Sequence, residues 1–363
     1  MFVKPEIEKF AKIRVVGIGG AGCNVLNTMI ESQQINGVEF IAINTDAQAL
    51  SISKAIVKLP IGQDRTKGLG SGSDPEVGRL AAEESAELIK TNLEGSDMIF
   101  ITAGMGGGTG TGAAPVVAAI AKELGALTVG VVTKPFHFEG AQRMENAERG
   151  IAALKNEVDA LIIIPDQKLL EITDERMSVL EAFKVSDSIL HQGVQGISDL
   201  IVMPGLINVD FADVRTVMKN AGSALMGIGI GTGPDRAAIA AKAAISSPLL
   251  EVTIDGATGI LFNITGSSDL GMHEVDIAAK IISETASSDA NVIFGVTMDE
   301  SLNDQIKITV IATGFDNGIG SRVAGRADKS ADKNFPLEPD KLSEFEESDD
   351  EGKYDIPTFL RRP

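Results

Sequence analysis

The chain has 363 residues, 44% hydrophobic and 23% charged, with a formal net charge of −19. That length can bury at least one large core and suggests two domains with additions, while the acidic balance argues against nonspecific DNA binding through basic patches. A single cysteine excludes an internal disulfide, three scattered histidines leave no zinc spacing, and no window approaches the roughly 18 uninterrupted apolar residues of a membrane span.

The opening MFVKPEIEKFAKIRVVGIGG lacks a secretory core with a cleavage site, and the lone cysteine fits a reducing, intracellular compartment. Apolar runs then alternate with helical patterns. Strands are expected at 12–19, 38–45, 97–104, 126–133 and 160–165, with helices at 21–32, 76–93, 113–124 and 140–156. Near-continuous Val/Ile runs predict strands buried on both faces, and alternation with helices predicts a parallel, doubly wound α/β sheet.

Residues 175–202 set Val179, Leu180, Phe183, Ile189, Leu190, Val194 and Ile197 at helical spacing, and MPG at 203–205 ends that long helix. Helices at 211–220, 235–246 and 273–286 follow. Alternating strands at 259–266, 291–298 and 305–314 complete a smaller α+β domain, one sheet with helices on one face. From about Gly318 the apolar content collapses into an acidic stretch with the composition of a disordered linker. YDIPTFLRRP then brings Ile356, Phe359 and Leu360 together beside Arg361 and Arg362, as in a docking peptide that orders on binding.

Three glycine-rich loops carry the chemistry. GIGGAG (17–22) fits G-x-G-x-x-G between a strand and a helix, the context of a dinucleotide fingerprint. GGGTGTG (106–112) sits in the same context. There, successive N–H groups can approach phosphate oxygens, Thr109 and Thr111 add hydroxyls, and the helix N-terminus adds a favourable dipole. GLGSGSDPEVG (68–78) offers a third phosphate contact. Three such loops on one sheet edge suit a triphosphate better than a nicotinamide cofactor. No G-x-x-x-x-G-K-[ST] occurs, which excludes a P-loop NTPase.

Phe183 and Asp187 are four apart on one helix face, which fits either a core aromatic with a solvated acid or an aromatic to stack on a base with a carboxylate to accept from guanine N1–H and the exocyclic amine. Glu139 and Arg143 have the spacing of a helical ion pair. Asp210 and Asp213 have the spacing of a helix N-cap and first-turn acid, a position that can also present carboxylates to a water. A helix over 175–202 is on the order of 40 Å long. It separates Phe183 and Asp187 from Asp210, so one molecule's carboxylates reach a neighbour's nucleotide more easily than their own.

GGGTGTG, together with FIAINTDAQAL, TKGLGSGSDPEVG, TKPFHFEG, NVDFADVRTVM and YDIPTFLRRP, resembles the tubulin/FtsZ superfamily and, within it, bacterial FtsZ; only the acidic linker lies outside the likeness. The resemblance implies a tubulin-like fold: a GTPase domain over 1–174, a connecting helix over 175–204, and a C-terminal α+β domain with the catalytic loop over 205–317. An acidic linker over 318–352 and a docking peptide over 353–363 follow. It implies GTP/GDP and Mg²⁺ as ligands. Nucleotide contacts would come from Gly20, Ala21, Gly22, Cys23, Asn24, Asn44, Gly70, Ser71, Gly72 and Gly104. Further contacts would come from Gly106, Gly107, Gly108, Thr109, Gly110, Thr111, Gly112, Pro135, Glu139, Arg143, Asp166, Phe183 and Asp187. Asp46 would reach Mg²⁺ through a water. Asp210, Asp213 and Asn208 would position the attacking water on the next subunit's GTP. The family usually has Asn where this chain has Asp166, and often Asn at Ser186; an ionised Asp accepts but cannot donate. By the same resemblance the protein polymerises head to tail at a cytoplasmic, mid-cell division ring. Its tail, through Ile356, Phe359, Leu360 and Arg361, binds tethers and regulators such as FtsA, ZipA, SepF and MinC. A dinucleotide oxidoreductase and a non-hydrolysing scaffold are the competing readings, and phosphate release from GTP against protein concentration separates all three.

Overall fold

A computed structural model describes residues 11–32, 35, 37–170, 177–203, 205–247, 254 and 256–315. The expected linker and docking peptide lie outside them, as do residues 175 and 176 of the expected long helix.

In chain order the elements are β1 (Ile13–Ile18), α1 (Gly19–Ser32), β2 (Val38–Asn44), α2 (Ala47–Ile52), β3 (Val57–Pro60), α3 (Gln63–Thr66), α4 (Pro75–Glu84) and α5 (Ala86–Leu93). Then follow β4 (Met98–Gly104), α6 (Thr109–Glu123), β5 (Leu127–Lys134), α7 (Ala141–Glu157), β6 (Ala160–Pro165), α8 (Asp166–Leu169) and α9 (Val179–Val202). The last third holds α10 (Phe211–Met218), β7 (Gly222–Gly231), α11 (Arg236–Ile245), β8 (Gly259–Gly266), α12 (Met272–Ser283), β9 (Asn291–Met298) and β10 (Ile306–Thr313).

The strands form one sheet in the order β3-β2-β1-β4-β5-β6-β7-β10-β8-β9. From β3 to β6 every pairing is parallel. Alternate residues of β1 enter two cores. Ile13 and Val15 pack with Leu26 and Met29 of α1 and with Leu190, Val194 and Ile197 of α9. Val16 and Ile18 pack with the helices of the opposite face, including Ala81 of α4, Ala113 of α6 and Leu154 of α7. Both faces are therefore covered, which is why these strands are apolar throughout. The order reverses between β1 and β4, where a doubly wound sheet opens a crevice beyond its strand ends.

Three local expectations need correction. The stretch 76–93 is two helices, because Ser85 (φ −103°, ψ 18°) leaves helical geometry and its hydroxyl accepts the Gly62 N–H at 3.1 Å. Helix α6 starts at Thr109 rather than 113, so the second half of the glycine run, TGTG, is itself the first turn. Poor helix propensity there is overridden by packing: a Cβ on Gly112 would lie 1.9 Å from the Pro75 carbonyl oxygen on α4. The long helix begins at Val179, where Ser178 and Glu181 form a reciprocal capping box.

The sheet continues without a break into the C-terminal part. β7 joins β6 in parallel through Ala160–Gly222 to Ile162–Ala224, and pairs antiparallel with β10. Helices α11 and α12 cover one face through Ala240, Ala244, Val275 and Ile282. Leu261 and Ile311 turn to the other face and join the core that contains α9 and α10.

Candidate functional site

A cavity of about 530 Å³ opens at the carboxyl ends of β1, β2, β4 and β5. It gathers Gly20, Ala21, Asn44, Asp46, Gly70, Ser71, Gly72, Gly104, Gly107, Gly108, Thr109, Gly110, Pro135, Glu139, Arg143, Asp166, Phe183 and Asp187, all expected from the sequence. Segments from the first strand to the long helix thus converge on one crevice.

The glycines divide by what a side chain would meet. Gly20 and Gly107 lack positive φ and have no heavy atom within 4 Å of an added Cβ. Nothing in the protein's own packing calls for glycine there, and both face the cavity. That is the shape of a cradle for backbone-bound phosphate. Gly19, at φ +75°, lets β1 turn straight into α1, and its Cβ would come within 2.9 Å of the Gly110 nitrogen. The first and second loops are therefore in van der Waals contact. Gly22, Gly106 and Gly112 do not line the cavity; added Cβ atoms would strike Thr102, Arg143 and Pro75 backbone respectively. They hold the cradle from behind.

Hydroxyls lock the second and third loops to each other and to the end of β2. Thr109 Oγ1 lies 2.6 Å from Thr45 Oγ1 and 3.1 Å from Ser71 Oγ. Thr111 turns inward and accepts the Gly106 N–H at 2.8 Å, so its hydroxyl shapes the loop from beneath. Cys23 is buried under the first loop, and burial pushes its thiol up to about 11, which leaves it unreactive at neutral pH. Asn24 is exposed one turn beyond Gly20 and does not line the cavity. The side-chain oxygen of the buried Asn44 accepts the Asp46 N–H at 3.2 Å, while its amide nitrogen has no hydrogen-bond partner among the described residues. An orphaned donor in the wall of this cavity is a position for a ligand acceptor.

At the other end Phe183 is 40% exposed rather than core, and it stands edge-on to Phe136 with centroids 5.5 Å apart. Phe136 stacks on Phe138 at 5.0 Å. Sequence reasoning missed these two; the only signal was their i, i+2 spacing in KPFHFEG. Glu139 accepts the Phe136 N–H at 3.1 Å and pairs with Arg143. Asp166 is 4% exposed and accepts from Ser186 Oγ at 2.6 Å. Its carboxyl is pushed up to about 7, first by burial and then by the charges of Glu139 and Asp187. Burial pushes Asp187 up to about 7 as well.

Asn208, Asp210 and Asp213 are not in this cavity. Asp210 caps α10, accepting the Asp213 N–H at 2.8 Å, and Asn208 accepts the Gly205 N–H at 2.6 Å. The preceding loop is pinned to β9 by the Leu206 N–H to the Val296 carbonyl at 2.9 Å and by the return bond from the Val296 N–H to Ile207. The three side chains are exposed on a rigid mount at the far end of α9. Among the described residues no three His, Cys, Asp or Glu side chains form a metal cage, and no helix is long and apolar enough to cross a membrane.

Comparison with known proteins agrees with this architecture. Residues 12–174 match the GTPase domain of the Tubulin/FtsZ family, and residues 222–316 match the C-terminal domain of the FtsZ family. The solved FtsZ dimer from M. jannaschii, described as empty, is 47% identical with a TM-score of 0.82, over 85% of this chain and 90% of that one. A point mutant of the same FtsZ is 48% identical with a TM-score of 0.82, over 85% of this chain and 92% of that one. CetZ2 from Haloferax volcanii, solved as a GTPγS-bound protofilament, shares the fold at 21% identity and a TM-score of 0.70, over 83% of this chain and 92% of that one. A glycine cradle at the sheet's switch point, matches to both domains and this level of identity lead to one conclusion: the chain belongs to the FtsZ family of tubulin-like GTPases.

Proposed function

We propose that this chain hydrolyses GTP at a site completed by a second copy of itself, so that turnover follows head-to-tail polymerisation into the filaments of a bacterial division ring. The observation that carries the reading is the 24-residue helix α9, about 36 Å long at 1.5 Å per residue. Phe183 and Asp187 lie near its start, in the cavity, whereas Asp210 and Asp213 follow its far end. Carboxylates so placed serve a neighbour stacked in the same orientation, a heterologous contact that propagates as a filament.

In this reading Phe183 stacks on the base and Asp187 accepts from guanine N1–H and the exocyclic amine. The N–H groups of Gly20 and Ala21 and of Gly107 to Gly110 hold phosphate oxygens. From the next subunit, Asp210, Asp213 and Asn208 orient and polarise the attacking water. Asp210 already spends one oxygen on its helix cap, which fixes the carboxylate's direction. Mg²⁺, when bound, neutralises phosphate charge; it commonly takes one or two carboxylates, phosphates and waters. Asp46 fits that set, because it lines the cavity and only its Oδ1 is used, in capping α2. The tail, outside the described residues, would dock membrane tethers and regulators such as FtsA, ZipA, SepF or MinC.

Phosphate release from GTP should rise more steeply than linearly with protein concentration. Complementation tests the shared site directly. Asp213→Ala keeps the cavity; Gly107→Glu fills it with a repelling carboxylate at a position where a Cβ meets nothing. Gly108 is unsuitable for this purpose, since its Cβ would lie 2.2 Å from Ser71 Oγ. Each variant alone should be nearly inactive, and the mixture should regain turnover. With folding and association of both verified, a mixture no more active than its parts would refute the shared site.

A further inference from the structure

We infer that Asp166 reads the bound base as a neutral carboxylic acid, donating its proton to an acceptor atom of the purine, while Asp187 accepts from the same base as a carboxylate. The inference rests on the guanine-nucleotide reading of this cavity and assigns its specificity to one shared proton.

The argument starts from charge. Among the described residues, the charged side chains lining the cavity are Asp46, Glu139, Arg143, Asp166 and Asp187, four carboxyls against one guanidinium. Arg143, on α7, is already bonded to Glu139 of the turn at 137–139. Lys134, at the end of β5, is paired with Glu148. The groups facing Asp166 are therefore the Glu139 carboxylate, the Asp187 carboxyl on α9, and the hydroxyls of Ser186 and of Thr133 on β5. None of these is a free cation. A buried carboxyl that faces two further carboxyls and no free cation ionises reluctantly, so Asp166 holds its proton more readily than an exposed aspartate.

Burial decides which carboxyl keeps it, against the pull of Ser186, whose donated hydrogen bond favours the ionised form. Ser186 Oγ donates to Asp166 Oδ1 at 2.6 Å, which fixes that oxygen as an acceptor and leaves Oδ2 to carry a hydrogen. Asp166 is buried, while the half-buried Asp187 is one residue beyond Ser186 and opens further to the cavity. An ionised Asp166 would present lone pairs to the ring nitrogens and carbonyl of a purine. The neutral acid presents an O–H, the donor that an amide would otherwise supply. Burial pushes both groups up to about 7, so near neutral pH each holds a proton far more readily than an exposed aspartate.

GDP binding to the full chain, measured by titration calorimetry from about pH 5.5 to about pH 9, tests this. Affinity of the parent should be bell-shaped, and its alkaline limb should approach about a tenfold loss per pH unit. Asp166→Asn, which donates at every pH, should lose that limb and keep the acid one. The ratio of parent to variant removes the titration of the GDP phosphate, which both share. Ser186→Ala removes a donor that favours the ionised form and should move the alkaline limb to higher pH. A parent affinity flat above pH 7 would overturn the proposal, and so would an Asn variant with an unchanged alkaline limb. A uniform loss of affinity in Asp166→Asn with that limb retained would reduce Asp166 to a packing role. Absence of GDP binding by the parent at every pH would instead remove the nucleotide reading, and this proposal with it.

Discussion

Gly20 and Gly22 lie two residues apart in the same turn of α1, yet alanine at each should act in opposite directions. At Gly20 an added Cβ meets no heavy atom within 4 Å, and the residue is helical. Alanine there should leave the nucleotide-free protein as stable as the parent or more so, by up to about 1 kcal/mol from helix propensity. The same methyl occupies the space through which phosphate approaches the backbone. Loss of one hydrogen bond to a charged group costs about 1.5–3 kcal/mol, roughly a tenfold to 150-fold rise in the GDP dissociation constant. At Gly22 the Cβ would lie 2.6 Å from the Thr102 carbonyl oxygen and 2.9 Å from the Gly17 carbonyl carbon. Backbone cannot yield like a flexible side chain, so overpacking of about 1–3 kcal/mol is expected, a fall of roughly 2–12 °C in melting temperature for a domain of this class. Thermal unfolding without nucleotide, paired with GDP titration, reads both quantities. If Gly20→Ala bound GDP as tightly as the parent, the open cradle would not be a phosphate site.

Asp210→Asn should keep the α10 cap, since Asn caps as well as Asp, and so melt like the parent while GTP turnover falls at least about tenfold; Asp210→Ala should lose about 1 kcal/mol of stability as well. Full turnover in the Asn variant would leave Asp210 as a cap and nothing more. Without nucleotide, stability should fall as pH rises from about 5 to about 7. Burial holds Asp166, Asp187 and Asp199 at about 7 in the folded chain against an ordinary value of 3.8, so the unfolded chain gives up these protons first. His191, lowered to about 4 by burial, acts oppositely, and the carboxylates of Glu39, Glu76, Glu181, Asp269 and Glu274, held low mainly by hydrogen bonds, act oppositely at the acid end, below about pH 5. Melting temperatures across that range check the sign, and a profile that rises steadily toward pH 7 would contradict it.

Much of the site was legible because its chemistry is local. A glycine run between a buried strand and a helix reads as a phosphate cradle from a single short stretch, and two residues four apart on a helix share a face whatever surrounds them. Elements whose sequences answer to distant partners were not legible. β3 is only VKLP, paired along one edge by β2. β7 reads GSALMGIGIG, and glycine is ordinarily depleted in strands. Its glycines are there because α11 lies directly on the strand: a Cβ on Gly229 would be 2.0 Å from the Ala240 oxygen, and one on Gly231 would be 1.9 Å from the Arg236 oxygen. Phe136 and Phe138 gave no comparable local signal, since their role is to meet Phe183, which lies far along the chain on α9.

The sequence by itself determined the doubly wound sheet, the three glycine loops, the long helix and the capping carboxylates, because hydrophobic period, backbone freedom and cap chemistry act over a few residues. The tertiary structure decided which glycines face open space and which face backbone, and that β7 fuses two sets of strands into one sheet. It also decided that Asp166 lies beside Ser186, Asp187 and Glu139 in a pocket whose one cation among the described residues, Arg143, is already paired. Steric clearance, strand pairing and the proton affinity of a buried carboxyl all depend on atoms brought together by folding, and neighbours in sequence carry no record of them.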